Sequence, residues 1–236
     1  MVTGDCLYSR KTVPLVSYII GTYFTVIEVK ITMREKTIDL FLEELSSGAP
    51  VPGGGGASAL MGSVSSALCS MVANLTTGKK KYAEYQGDIE RILKDTAVLT
   101  DKIADLMQKD ADAFEPLAKA YSIPKEEPGR DELLENALKV ASDAPFEIVE
   151  TMNEVSLIIE ELAVKGSRLA ISDVGVAAAA CRAAVCGASM NVYINTKLMK
   201  DREYAASVNE KTDAIVKTVC DRCDKAYNDV LGGLKA

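Results

Sequence analysis

From Met33 onward the apolar residues recur every three to four positions, the period of an α-helix with one face buried. "TIDLFLEELSS" sets Ile38, Phe41, Leu42 and Leu45 on one face, and Gly48 and Pro50 stop the helix. A second helix is predicted from about Gly56 to Thr77. Its small residues (Ala57, Ser58, Gly62, Ser65, Ser66, Ala67) would let a neighbouring helix approach closely. A third runs from about Tyr85 to Tyr121 on a stripe of Ile89, Ile92, Leu93, Leu99, Ile103, Leu106 and Met107, with a kink expected at Pro116. "SIPKEEPGR" reads as a surface loop. A fourth helix starts near Arg130 and meets Pro145, which either kinks it or opens a new helix reaching Lys165. "KGSRLAISD" is a break in which Ser172 or Asp173 would cap a helix over Val174–Met199. A last helix is predicted from Glu203 to about Leu231, closed by Gly232-Gly233. There is no βαβ alternation and no fixed-period repeat, so the fold class is all-α, a bundle of long helices.

Residues 1–32 break the pattern. "VPLVSYIIGTYFTVIEV" is rich in β-branched and aromatic residues but short for an uninterrupted membrane span, which needs about 20 apolar positions. Asp5 precedes it and no small-x-small site closes it, unlike a signal peptide. A strand packed on the domain stays open. The favoured reading is an extension outside the helical domain 33–236, with Met33 as the functional start.

Composition narrows the chemistry. The 236 residues contain no His, so the usual general base near neutral pH and the commonest metal ligand are both missing. Triads of the Ser-His or Cys-His type are excluded. A net charge of −7 argues against nucleic acid or an anionic membrane as partner. Of six cysteines, only Cys220 and Cys223 are closely spaced, with no second pair to complete a zinc knuckle. They read as thiols on a helix in a reducing cytoplasm.

Three polar elements stand out. "APVPGGGGAS" carries four consecutive glycines, Gly53 to Gly56, before a helix. It lacks the Lys of a phosphate loop and the strand of a dinucleotide fold. Either the exposed N–H groups meet an anion or a carbonyl at the helix start, or the bare backbone permits close packing. In "DADAF" Asp110 shares a face with Leu106, Ala113 and Phe114, where burial would raise its pKa and suit it to acid–base work; the bland alternative is a solvated helix end. In "NVYIN" Asn191 and Asn195 lie four apart on one helix and could hold a heterocycle or simply join helices.

Taken in order, "APVPGGGGASALMGSVSSALCSMVANLTTGKKKY", "DADAFEPLAKAYSIPK", "ISDVGVAAA" and "NVYIN" resemble the formiminotetrahydrofolate cyclodeaminase / methenyltetrahydrofolate cyclohydrolase family, from about Met33 to the C-terminus. Pro52, Gly53, Gly54 and Gly55 match its proline-triglycine signature, and Asp110, Ala113 and Phe114 match D-x-x-A-F. Pro124, Arg130, Asp173, Asn191 and Asn195 match further positions. Gly56 stands where Ser is usual, and Ser167 where Gly-Asn is common.

The resemblance implies a homodimer with a folate site between helices and no metal or redox cofactor, a tetrahydrofolate derivative being the substrate. It implies cyclodeamination of 5-formiminotetrahydrofolate to 5,10-methenyltetrahydrofolate plus ammonia. The alternative is cyclohydrolase action giving 10-formyltetrahydrofolate; a third, of another class, is a non-catalytic folate-binding or scaffold protein. Asp110 and Asp173 would carry the proton. The glycine loop would approach the flat ring, Asn191 and Asn195 would position it, and Lys79, Lys80 and Arg130 would receive the glutamate carboxylates of a folate that can be polyglutamylated. A separate formiminotransferase, as in histidine degradation, would be a functional partner.

Overall fold

The computed structural model describes residues 31–236; the readings made for residues 1–30 lie outside it. Among the described residues every regular element is helical: α1 (Ile38–Leu45), α2 (Gly54–Asn74), α3 (Gln86–Ser122), α4 (Arg130–Lys165), α5 (Ile171–Leu198) and α6 (Arg202–Lys235), with short 3-10 turns at Met33–Glu35, Lys80–Tyr85 and Arg168–Ala170.

The helices follow side-chain size. α2 and α5 are rich in Ala, Gly and Ser, and small residues let their backbones close on each other. At Gly187 of α5 an added Cβ would lie 2.4 Å from the Ser58 hydroxyl of α2, and at Gly62 of α2 it would lie 2.9 Å from the Met152 methyl of α4. α3 packs on α2, α6 packs on α5, and α4 runs across all four. α4 accordingly supplies much of the core, with Leu138, Ile148, Val149, Met152, Ile159 and Leu162 fully buried. Burial of this apolar surface, about 25 cal/mol per Å² removed from water, is the main force holding the bundle.

Several local readings are corrected. Pro145 does not start a new helix; Arg130–Lys165 is one helix with Pro145 inside, and Pro116, as read from the sequence, sits inside α3. The glycines do not precede α2. Gly54, Gly55 and Gly56 form its first turn, with Gly53 as the N-cap. The cap of α5 is Ala170, which places Asp173 in the first turn rather than at the cap. Gly232-Gly233 does not end α6, which continues to Lys235. On α1 only Phe41 is buried; Ile38 and Leu42 face solvent in this chain.

Among the described residues no helix covers one side of the α2–α5 pair. Val64 and Met71 of α2, Leu75 at its C-cap, and Val176, Met190 and Ile194 of α5 are exposed, a helical repeat of apolar positions on each. α2 and the stretch Arg168–Leu198 are each long and apolar enough to cross a membrane, and about half of each apolar window is buried inside the bundle.

Candidate active site

The first turn of α2 meets the middle of α3 and the C-terminal half of α5 at one end of the bundle. There a cleft of about 230 Å³ is lined by Val51, Gly53–Gly55, Asp110, Phe114, Ala141, Pro145, Asn191, Ile194 and Asn195. The glycines are explained by what stands against them. A Cβ on Gly55 would fall 2.1 Å from Oδ1 and 2.4 Å from Cγ of Asp110, so the carboxylate occupies the volume a side chain would need. A Cβ on Gly54 would come within 3.1 Å of the Asn191 amide. Gly53 and Gly56 are under no such pressure: nothing lies within 4 Å of the first, and Pro52 Cβ is at an ordinary 3.4 Å from the second. Both sequence readings of the loop therefore meet here. The backbone is bare so that two polar side chains from other helices can come close to it.

Asp110 completes the start of α2. Gly53 offers no side-chain cap, and the Gly56 N–H hydrogen-bonds the Asp110 carboxylate from across the helix pair. The positive end of the α2 dipole favours the ionised form there. Burial opposes it and prevails: loss of water raises the Asp110 pKa from 3.8 to about 6, against the lowering by Gly56. A carboxyl poised near neutrality, in a chain without histidine, is suited to accept and return a proton.

The two asparagines do different jobs. The Asn195 amide donates to the Ala141 carbonyl of α4 at 2.9 Å, a tie between helices. The Asn191 amide donates to the Gly187 carbonyl of its own helix at 2.9 Å, which turns the side chain toward Gly54 and the cleft. Phe114 and Pro145 add apolar walls, which residue-by-residue reading singled out only in part: Pro145 gave no signal beyond its effect on a helix.

Not every residue singled out from the sequence reaches this cleft. Asp173 lies on α5, 18 residues before Asn191, about 27 Å along the helix axis. Lys79 and Lys80 follow the far end of α2, about 30 Å from Gly54 or more. Lys79 Nζ donates to Ser167 Oγ at 3.1 Å, and the Ser167 N–H donates to Thr76 Oγ1 at 2.8 Å, so Ser167 does supply a polar contact in its loop. Arg130 is 11 residues from Ala141 and closes the α3–α4 loop by donating from Nε to the Ile123 carbonyl at 2.8 Å. A larger groove of about 670 Å³ lies at the Lys79 end, between α4, α5 and α6. Its Glu160 and Asp229 are paired with Arg222 and Lys225.

The class of protein is set by an all-helical bundle that buries a carboxyl with a raised pKa against a glycine-built helix start, an arrangement suited to proton transfer. Comparison with known proteins gives the lineage. The formiminotransferase-cyclodeaminase family model matches residues 37–214, and the chain belongs to that family. It is 40% identical to methenyltetrahydrofolate cyclohydrolase of Methylorubrum extorquens over 174 residues, 72% of this chain and 84% of that protein. It is 30% identical to formimidoyltransferase-cyclodeaminase of Sus scrofa over 190 residues, 79% of this chain but 35% of that protein, so it spans about a third of the bifunctional relative. Its fold matches the crystal structure of formiminotetrahydrofolate cyclodeaminase from Thermotoga maritima with a TM-score of 0.74 at 31% identity, covering 84% of this chain and 98% of that one.

Proposed function

We propose that this chain is a folate one-carbon enzyme acting at the bridge between N5 and N10 of tetrahydrofolate, with Asp110 as the group that moves the proton. The observation that carries the proposal is the Asp110 carboxyl, raised to about 6 and pressed into the place of a Gly55 side chain. In the first reading, cyclodeamination, ionised Asp110 takes the N10 proton as N10 attacks the formimino carbon. It then returns a proton to the departing ammonia, leaving 5,10-methenyltetrahydrofolate. The second reading, hydrolysis of the methenyl bridge to 10-formyltetrahydrofolate, is favoured by the 40% identity to a cyclohydrolase. There the same carboxylate takes a proton from the attacking water. Either way the reaction needs positioning and one proton shuttle, with a one-carbon derivative of tetrahydrofolate as substrate and no further cofactor.

The cleft is smaller than the roughly 300–1,000 Å³ usual for ligand sites, so it suits one end of a folate. A homodimer supplies the rest in this proposal. The open apolar face of α2 and α5 runs from the cleft, where Ile194 lines both, to the Lys79 end. Two copies related by a two-fold axis through the middle of that face pack antiparallel. The Lys79, Lys80 and Asp173 end of a second copy then falls beside the Asp110 cleft of the first. Lysines there would suit the carboxylates of a polyglutamate tail. Arg130, engaged with Ile123, is assigned to holding the loop instead. A separate formiminotransferase would supply the formimino substrate, and the unbridged thiols suit a cytoplasmic setting.

The test offers the purified protein 5-formiminotetrahydrofolate and, separately, 5,10-methenyltetrahydrofolate, and follows the near-ultraviolet band of the methenyl form. Growth of the band identifies the cyclodeaminase; decay faster than the buffer blank identifies the cyclohydrolase. Asp110→Asn should remove either activity with the helical signal intact. Blank rates in both assays would move a non-catalytic folate-binding protein to the front.

A further inference from the structure

We propose that Cys186 of α5 and Cys220 of α6 are a redox pair that closes into a reversible disulfide when the protein meets a peroxide. The Cys220/Cys223 spacing suggests a pair within one helix, but the fold divides those two. Cys223 turns inward to a fully enclosed group with Cys69 and Cys181, while Cys220 faces a different helix. Its sulfur stands 3.5 Å from that of Cys186. Both are only half-buried, so a small oxidant reaches this pair and not the inner three.

The surroundings divide the labour between the sulfurs. Arg182, one turn before Cys186, is charge-coupled to both and is held by Asp224, one turn after Cys220, at 2.8 Å. Its guanidinium sets a positive charge beside both sulfurs. Burial nevertheless pushes the Cys220 thiol up to about 12, so Cys220 stays protonated and serves as the resolving sulfur. The Cys186 thiolate attacks the peroxide O–O bond, giving a sulfenic acid and releasing hydroxide. The Cys220 sulfur then attacks that sulfenic sulfur, forming the S–S bond and releasing water. In sum two thiols and one hydrogen peroxide give one disulfide and two waters. The sulfurs must close from 3.5 Å to about 2.05 Å, a motion within reach of side-chain rotation and a small helix shift. The bond would clamp α6 to the helix that carries Asn191, immediately before Gly187, whose carbonyl holds the Asn191 amide.

The full-length protein is treated with a few equivalents of hydrogen peroxide, unfolded under an alkylating reagent, digested and analysed by mass. The expected result is loss of two alkylatable thiols per chain, one linked peptide pair containing Cys186 and Cys220, and a Tm several degrees higher that dithiothreitol reverses. Cys186→Ser should abolish the thiol loss, the linked peptide pair and the Tm shift; Cys220→Ser should abolish the linked pair and the Tm shift while leaving one thiol, Cys186, lost as a sulfenic acid, and Cys186→Ala and Cys220→Ala should behave the same if serine disturbs folding. Oxidation of Cys186 to a sulfinic acid without a bond, a disulfide through Cys6 or between two chains, or an unchanged thiol count would each overturn the proposal. None of these readouts depends on folate turnover, so the two proposals stand or fall separately.

Discussion

Replacing Asp110 by Asn should make the protein more stable at pH 8 and inactive, and the stability gain should vanish in acid. The Asp110 carboxyl ionises near 3.8 when exposed and near 6 in the fold. Below pH 3.8 it is neutral in both states and contributes no difference. Between about 4 and 6 the unfolded chain sheds its proton first, so native stability falls as pH rises. Above 6 the full cost is present. A shift of about 2 pH units at 1.36 kcal/mol each gives roughly 3 kcal/mol. An asparagine fills the same volume, can accept from Gly56 through Oδ1, and carries no charge to bury. For a chain of this size 3 kcal/mol corresponds to about 6–12 °C in Tm. Urea or thermal unfolding of wild type and variant at pH 8, 6 and 4.5 checks this. A variant no more stable than wild type at pH 8, or a gap that does not narrow with acid, would refute the claim that burial of this charge sets its pKa. The same ionisation should appear in turnover: kcat/KM of the wild type rises through pH 6, because the shuttle must start deprotonated.

Gly55→Ala should cost turnover at least a hundredfold by driving the Asp110 carboxylate out of place, whereas Gly56→Ala, with its Cβ 3.4 Å from Pro52, should retain activity within a few-fold; steady-state kinetics on both separates a steric role from a general need for glycine. Asn195→Ala removes the amide that ties α5 to the Ala141 carbonyl and should lower stability by about 1 kcal/mol in urea unfolding, with the helical signal unchanged. Val64→Glu, on the open face of α2, should shift sedimentation of the proposed dimer to the monomer and raise KM for a polyglutamylated folate, while a monomeric wild type would contradict the two-fold arrangement. Met152→Ala, at a fully buried position against Gly62, should cost about 2–5 kcal/mol.

The helices were legible because their information is local. Apolar residues three and four apart specify which face turns inward, and that reading holds for α2, α3, α4 and α6 within a few residues. It misled where a local rule met a tertiary demand. Pro145 breaks a helix in isolation, yet α4 runs through it, with Ala144, Pro145 and Ile148 buried against the neighbouring helices. Gly232-Gly233 marks a stop that α6 does not use. Within the site, the string of glycines announced that something must come close to the backbone, and the acidic residue on an apolar face announced a perturbed carboxyl. Neither told which met which. That Gly55 is bare for Asp110 and Gly54 for Asn191 is a fact of three helices crossing, separated in sequence by more than 50 residues at each step. Residue type and spacing by themselves determined an all-α bundle, a chemistry without histidine and a short set of candidate groups. The tertiary structure alone decided which candidates share a cleft, because helix length carries Asp173 about 27 Å from Asn191 and Lys79 about 30 Å from Gly54, however close their motifs stand in the family pattern. It also decided which cysteine faces which, since that depends on how α5 and α6 lie against each other and on nothing written within either helix.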